Sequence, residues 1–258
     1  MPQNAEYVED NGSACMAERF EEAAAQMPGA AFAEAPGATP AEAPAAAGTS
    51  HEGIVEIASA ADLRELLGEA MPRAVTKERK ALHEMDRQWL AASPFCLIAT
   101  SGADGTCDVS PKGDPPGFTV VLDDTTIAIP ERPGNRRADG FLNILANPHV
   151  GLIYLVPGRN ETLRVNGRAR LVRDAPFFDQ MIVKGHRPAL AVVVEIEQIF
   201  FHCAKAFMRS ALWKHDTWNP GVLPPHPQIV KRVQHTDESL EELERYYGAQ
   251  YAERLYRG

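Results

Sequence analysis

The chain has 258 residues, 45% hydrophobic and 24% charged, with 19 glycines and 20 prolines, enough to bury a core in one or two domains. No apolar stretch, including Ala189 to Ile196, approaches the roughly 20 residues that cross a bilayer, and the acidic start Met1 to Glu22 lacks an apolar leader, so neither a membrane span nor a secretory signal is expected. Cys15, Cys96, Cys107 and Cys203 form no C-x-x-C pair and are expected to be free thiols in a reducing, cytoplasmic setting. The net charge of −9 is uneven: residues 1–50 hold eight acids and one base, and the rest 27 acids and 25 bases. A broad nucleic-acid surface is thereby disfavoured, while a local basic pocket for a phosphate is not.

Residues 1–50 are rich in alanine, proline and glutamate and are expected to be a disordered tail, with a short helix at Ala14 to Met27 on the spacing of Met16, Phe20, Ala23 and Met27. Residues 51–92 form an N-terminal helical segment. Ser59-Ala60-Ala61-Asp62 has the pattern of a capping box before Leu63, Leu66 and Leu67, and a second helix is expected from about Thr76 to Ala92. From Pro94 the period changes to that of strands, and residues 93–219 read as a mainly β domain. Phe95 to Thr100 and Cys107 to Lys112 flank the turn Gly102-Ala103-Asp104-Gly105; Phe118 to Leu122 and Thr125 to Pro130 make a second hairpin. A helix from Arg137 to Ala146 stops at Asn147-Pro148, and Val150 to Val156 and Leu163 to Val172 flank a turn at Pro157 to Asn160. Pro176 to Lys184 reads as a helix, Leu190 to Cys203 as a long strand, and Ala204 to Trp213 as a short helix. In residues 220–258, Pro220, Pro224, Pro225 and Pro227 are expected to prevent regular structure before a terminal acidic helix from Asp237 to Tyr256, whose Leu240, Leu243, Tyr247, Tyr251 and Leu255 share one face. Strands joined by short turns imply an antiparallel barrel or sandwich with flanking helices.

Four segments carry the chemistry-bearing residues. On a strand, Asp108, Ser110 and Lys112 point to one side and Val109 to the other, beside a loop fixed by Gly113, Pro115, Pro116 and Gly117; this is a binding face or a solvated strand. In Pro130-Glu131-Arg132-Pro133-Gly134-Asn135-Arg136-Arg137, the last three fall at a helix start, where unpaired backbone N–H groups favour an anion. The alternative there is a salt bridge from one arginine to Asp139. From Thr162 to Arg170 the even positions are polar, so Thr162, Arg164, Asn166, Arg168 and Arg170 share a face that is either wet surface or, for the first two, a ligand contact. Lys205, Arg209 and Trp213 recur every four residues and make a basic, aromatic helix face that serves a surface, an interface or a ligand. The histidines show no metal-ligand spacing, and no G-x-S-x-G, G-x-G-x-x-G or P-loop pattern is present.

In order and spacing these segments resemble the pyridoxamine 5′-phosphate oxidase-related family of FMN-binding split β-barrels. The matching runs are Ser93-Pro94-Phe95, Asp108 to Phe118, Val121 to Asp124, Arg132 to Arg136, Asn143 to Leu145, Asn147-Pro148, Gly158 to Ala169, and Phe200 to Ala206 with Arg209-Ser210 and Leu212-Trp213. The resemblance implies a six-stranded antiparallel split barrel with flanking helices, forming a homodimer that binds two FMN at the subunit interface. It implies that Asp108, Val109, Ser110 and Lys112 line the flavin ring and ribityl chain, with Lys112 at the ring or substrate. By the same resemblance Asn135, Arg136 and Arg137 are expected to hold the phosphate, Thr162 to contact the flavin, and Lys205, Arg209 and Trp213 to reach it from the other subunit, while Pro130 and, on the polar face of its strand, Arg164 are also expected at the site. The arginine- and tryptophan-bearing ending that the true oxidase uses for pyridoxal phosphate has no counterpart, so vitamin B6 oxidation is not the expected reaction. The expected function is an FMN-dependent oxidoreductase taking electrons from NAD(P)H or another donor. The alternatives are a flavin-binding carrier or sensor without turnover, and a dimeric scaffold that holds no cofactor.

Overall fold

The computed structural model describes residues 53–234 and 236–257. Ala60–Gly258 form one compact unit; the described part of the other, residues 53–59, has no helix or strand. The expected tail over 1–50 and its helix at Ala14 to Met27 lie outside the described residues.

Two short helices, α1 (Ala60–Leu67) and α2 (Pro72–Val75), come first, and α1 buries none of its residues. The helix expected from Thr76 is not continuous. Arg79 is extended, and its N–H and C=O bond the Ile199 backbone at 3.1 and 2.8 Å, while Leu82 N–H bonds the Asp124 carbonyl at 2.7 Å. Helix α3 (Glu84–Ala92) starts only after His83, whose ring accepts from Met85 N–H at 3.1 Å while Asp86 accepts from His83 N–H at 2.8 Å. This reciprocal cap fixes the helix start, and the same buried Asp86 pairs with Arg79 and holds that guanidinium above its usual pKa through their hydrogen bond.

Seven antiparallel strands follow: β1 (Phe95–Ser101), β2 (Cys107–Gly113), β3 (Val120–Val121), β4 (Thr126–Pro130), β5 (His149–Leu155), β6 (Thr162–Val172) and β7 (Ala191–His202). They make one unclosed sheet in the order β2-β1-β5-β6-β7-β4-β3. The mainly β, split-barrel architecture is as expected, and the seven strands are those read from the patterning, against the six the resemblance implies; the expected strand Phe118 to Leu122 is shortened to the two-residue β3, which pairs with β4 through Val120↔Ala128 and Val121↔Ile127. Alternate residues of each strand point inward, so Cys96, Ile98, Leu152, Tyr154, Leu163, Val165, Ile127, Ile129, Val192 and Val194 fill the main core. Burial pushes the Cys96 thiol up to about 12, and it raises the Tyr154 hydroxyl far above its usual value.

Strand β4 and the start of β7 are buried on both faces, since Ala128, Ala191 and Val193 pack against Phe178 and Met181. That explains why Pro176–Met181 is a 3-10 turn where a longer helix to Lys184 was expected: at three residues per turn, Phe178 and Met181 fall on one side and both enter this second cluster. In the β6–β7 ladder the register slips between Asn166 and Gly167, where a Cβ on Gly167 would lie 2.0 Å from the Glu195 carbonyl oxygen.

Helix α4 (Asp139–Ala146) connects β4 to β5, and α5 (Lys205–Arg209) follows β7. The expected helix through Trp213 ends early, with Ala211 in the left-handed region at φ 50°. Helix α6 (His226–Val233) occupies part of the proline stretch expected to be irregular; Pro227 sits in its first turn, where its missing N–H costs no hydrogen bond. The expected terminal helix is divided into α7 (Leu240–Tyr246), capped reciprocally by Ser239 and Glu242, and α8 (Gln250–Glu253). Leu243 is buried while Leu240, Tyr251 and Leu255 stay exposed, so the break at Tyr247 to Ala249 disperses the expected apolar face. Among the described residues no helix is long and apolar enough to cross a membrane.

Candidate functional site

Strand β2 builds one wall of a cavity of about 710 Å3. It is an edge strand, which is why Pro111 is tolerated opposite Leu97: a proline cannot donate to a second ladder. Its residues alternate as expected, with Asp108, Ser110 and Lys112 half-buried and Val109 and Pro111 exposed. The half-buried three stand beside Thr100, Ile98 and Cys96 of β1.

Helix α4 closes the next side, and Gly140 lets it approach: a Cβ there would meet the Asp108 carboxylate at 2.9 Å and Thr100 Oγ1 at 3.5 Å. Asn143 on the same helix donates to Thr100 Oγ1 at 3.1 Å, tying α4 to the sheet. Phe141 places its ring centroid 4.9 Å from Lys112 Nζ.

The third wall is Pro130 and the loop that follows. Lys112 reaches across to it, Nζ donating to Glu131 Oε2 at 2.6 Å, and both side chains are largely withdrawn from water. Arg132 donates to Asp114 at 2.5 Å and to the Met181 and His186 carbonyls at 2.6 and 3.3 Å. Beyond Pro133 and Gly134 the chain twists: Arg136 and Ala138 both have φ 61°, in the left-handed region that non-glycine residues rarely occupy. Helix α4 therefore begins at Asp139, not at Arg137, and Asn135, Arg136 and Arg137 stand just ahead of it. Asn135 Oδ1 accepts from Arg137 N–H at 3.1 Å, and the Arg137 guanidinium pairs with Asp139 at 2.7 Å. Of the four cations lining the cavity, Lys112, Arg132 and Arg137 have carboxylate partners, and Arg136 makes no ion pair among the described residues.

The cavity thus gathers Asp108, Val109, Ser110, Lys112, Pro130, Asn135, Arg136 and Arg137 from the expected site. The other five are elsewhere in the single chain. Thr162 was expected on the polar face of β6 but is buried, opposite His202, at an end where Trp213 Nε1 donates to the Arg159 carbonyl at 2.7 Å. Arg164 is on the exposed face, as alternation requires, with its guanidinium 5.4 Å from the Phe200 ring centroid. Lys205 and Arg209 are exposed on α5, and Trp213 lies beyond the left-handed Ala211, its ring 6.0 Å from that of Phe207, so the three do not share one helix face. Glu131, Arg132, Gly140 and Phe141 complete the cavity and were missed; Glu131 and Arg132 lay within a segment already singled out, but their partners Lys112 and Asp114 are 19 and 18 positions away.

Among the described residues no cluster of three or more His, Cys, Asp or Glu side chains is placed to hold a metal. The lining combines polar strand side chains, a lysine–glutamate pair and an arginine on a left-handed loop, which suits a ligand that carries both hydroxyl groups and an anionic group.

Residues 82–203 match the family described as pyridoxamine 5′-phosphate oxidase. A candidate pyridoxamine 5′-phosphate oxidase from Lactobacillus delbrueckii is 25% identical with a TM-score of 0.38, over 47% of this chain and 95% of its own. Group A Streptococcus HupZ is 17% identical with a TM-score of 0.38, over 46% of this chain and 93% of its own. An FMN-binding protein from Syntrophomonas wolfei is 12% identical with a TM-score of 0.36, over 46% and 89%. These superpositions, like the family match, cover just under half of the chain. A search of curated protein sequences returned no match.

Proposed function

Residues 82–203 belong to the pyridoxamine 5′-phosphate oxidase-related family, and from that premise we propose that the cavity between β2, α4 and the Glu131–Ala138 loop holds FMN in an FMN-dependent oxidoreductase. The observation that carries this reading is Arg136, a cation without an ion-pair partner among the described residues, on a doubly left-handed loop at the mouth of a helix. Alternating left-handed backbone turns successive N–H groups toward one point, and a guanidinium beside them makes a phosphate cradle. The residues fit the group: the cavity volume lies within the usual 300–1,000 Å3 of cofactor sites, roughly, and its polar wall supplies acceptors and donors for ribityl hydroxyls at Asp108 and Ser110.

In this reading Arg136, Asn135 and Arg137 bind the phosphate, the last exchanging or sharing its Asp139 partner. Lys112 orients the other end, held at a fixed place by Glu131 and by the Phe141 face. Bound flavin would supply the acceptance and release of hydride or electrons, so no side chain needs to act as general acid or base. An ammonium at the ring favours the electron-rich form, and Glu131 moderates that field. The donor, NAD(P)H or another reductant, would approach from the open side of the cavity.

A second copy of the chain is part of the reading. The outer face of the sheet carries Phe95, Leu97, Ala99, Val109, Pro111 and Ile153 in contiguous register, with Val109 60% and Ile153 40% exposed, an apolar area that suits a homodimer interface. Thr162, Arg164, Lys205, Arg209 and Trp213 would act, if at all, from that copy. The exposed free thiols Cys107 and Cys203 support a cytoplasmic setting.

The test is the absorbance spectrum of the purified protein, with and without added FMN, followed by addition of NADH or NADPH. Flavin bands that bleach support the oxidoreductase; bands that persist favour the carrier or sensor; a protein that takes up no FMN sinks the reading. Sedimentation then reports the oligomeric state.

A further inference from the structure

From 142 residues away, Tyr256 reaches the far side of the Glu131–Pro133 wall, where it lines a neighbouring pocket of about 400 Å3 that shares Glu131, Arg132 and Pro133 with the cavity. Tyr256 donates its hydroxyl to Asp114 Oδ1 at 2.6 Å, and Asp114 accepts Arg132 Nε on its other oxygen at 2.5 Å. The Asp114 carboxylate is 1% exposed, so these two donors replace the water it would otherwise hold. The Arg132 guanidinium also lies 5.5 Å from the Tyr256 ring centroid. Hydrogen bonding to Asp114 holds the Tyr256 hydroxyl above the ordinary tyrosine value, as a phenol donating to a carboxylate must be.

Arg132 occupies a pivotal place. It is preceded by Glu131, the partner of Lys112, and followed by Pro133, where the loop to Arg136 begins. Asp114 is two residues beyond Lys112 on the opposite wall. The Asp114–Arg132 pair therefore clamps the two walls of the cavity to each other, and Tyr256 satisfies the remaining oxygen of that clamp. We propose that Tyr256 is a positioning residue of the cavity, acting through Asp114 on Arg132 to set the spacing between the β2 wall and the Arg136 loop. This rests on the reading of the cavity as an FMN site. Removing the hydroxyl leaves a buried carboxylate oxygen without its donor; the carboxylate then turns toward Arg132 or draws in water, and the loop loses its fixed place.

The experiment uses the full chain and titrates FMN by quenching of its fluorescence in wild type, Tyr256→Phe and Tyr251→Phe, with a melting curve for each. Tyr256→Phe is expected to raise the FMN Kd about three- to tenfold with little change in melting temperature, and to remove from the near-ultraviolet pH titration a phenol that ionises above the ordinary tyrosine value. Tyr251→Phe, which alters a half-exposed ring that packs beside Tyr246, Tyr247 and Arg254, is expected to match wild type. The double variant Asp114→Asn/Tyr256→Phe is expected to lose no more affinity than Asp114→Asn alone, because both act through one carboxylate. Equal Kd in wild type and Tyr256→Phe overturns the positioning role alone, as does an equal loss in Tyr251→Phe. Wild type that binds no FMN overturns the cofactor reading and this inference with it.

Discussion

Strands β2 and β6 both alternate polar with apolar or small residues, and it is β2 that faces the candidate cavity. At the sheet edge, Asp108, Ser110 and Lys112 are roofed by α4 and the Glu131–Ala138 loop, which converts a polar strand face into a wall. In mid-sheet, Arg164, Arg168 and Arg170 of β6 meet no such roof and stay exposed. Alternation specifies which side chains share a face; a site requires a second element opposite that face, and that information lies in another part of the chain.

The comparison predicts that β6 substitutions act on stability and those around β2 on binding. The largest effect is expected for Gly167→Ala, whose Cβ would meet the Glu195 carbonyl at 2.0 Å, backbone against side chain with nothing flexible to yield. A loss of roughly 3 kcal/mol or more is expected in denaturant unfolding, and a loss under 1 kcal/mol would show that the ladder relaxes there. Next, Arg136→Ala is expected to weaken FMN binding by about 1.5–3 kcal/mol, the range for a charged hydrogen bond, without altering the melting temperature; unchanged affinity would move the phosphate elsewhere.

A third prediction concerns pH. The Cys96 thiol ionises near 12 when folded and near 9 when unfolded, so the stability it contributes is fully present below pH 9 and is lost as pH rises toward 12. Relative to Cys96→Ala, wild type should lose about 1.4 kcal/mol per pH unit above 9. Parallel pH–stability curves for the two proteins would contradict this. The smallest effect is expected for Arg164→Ala, which removes an exposed cation–π contact worth about 0.5–1 kcal/mol and leaves FMN affinity in a single subunit's cavity unchanged; a large affinity loss would bring β6 of a second copy into the site.

The strands and the polar face of β2 were legible because period-two patterning and turn residues are local signals. The start of α3 was also written locally, in His83 and Asp86, while what keeps the preceding residues out of the helix, the pairing of Arg79 with Ile199, is long-range. Helix α6 was hidden because prolines were taken only as breakers, although Pro227 is at home in a first turn. The stripe Lys205, Arg209 and Trp213 failed for a different reason: it presumes a helix that continues, and Ala211 turns out of it. Pairs such as Lys112–Glu131, Asp114–Arg132 and Asp114–Tyr256 are long-range, and no spacing rule announces them.

Pro111 links the binding wall to solubility. An edge strand with free donors and acceptors invites another chain to add a strand, and a protein that keeps its ligand face on such an edge exposes itself to fibrous self-association. A proline midway along β2 interrupts the row of donors and blocks continuous augmentation, while leaving the alternate side chains Ser110 and Lys112 free to face inward. The same residue that makes the strand a poor template for its own kind leaves its inner face available to a small ligand.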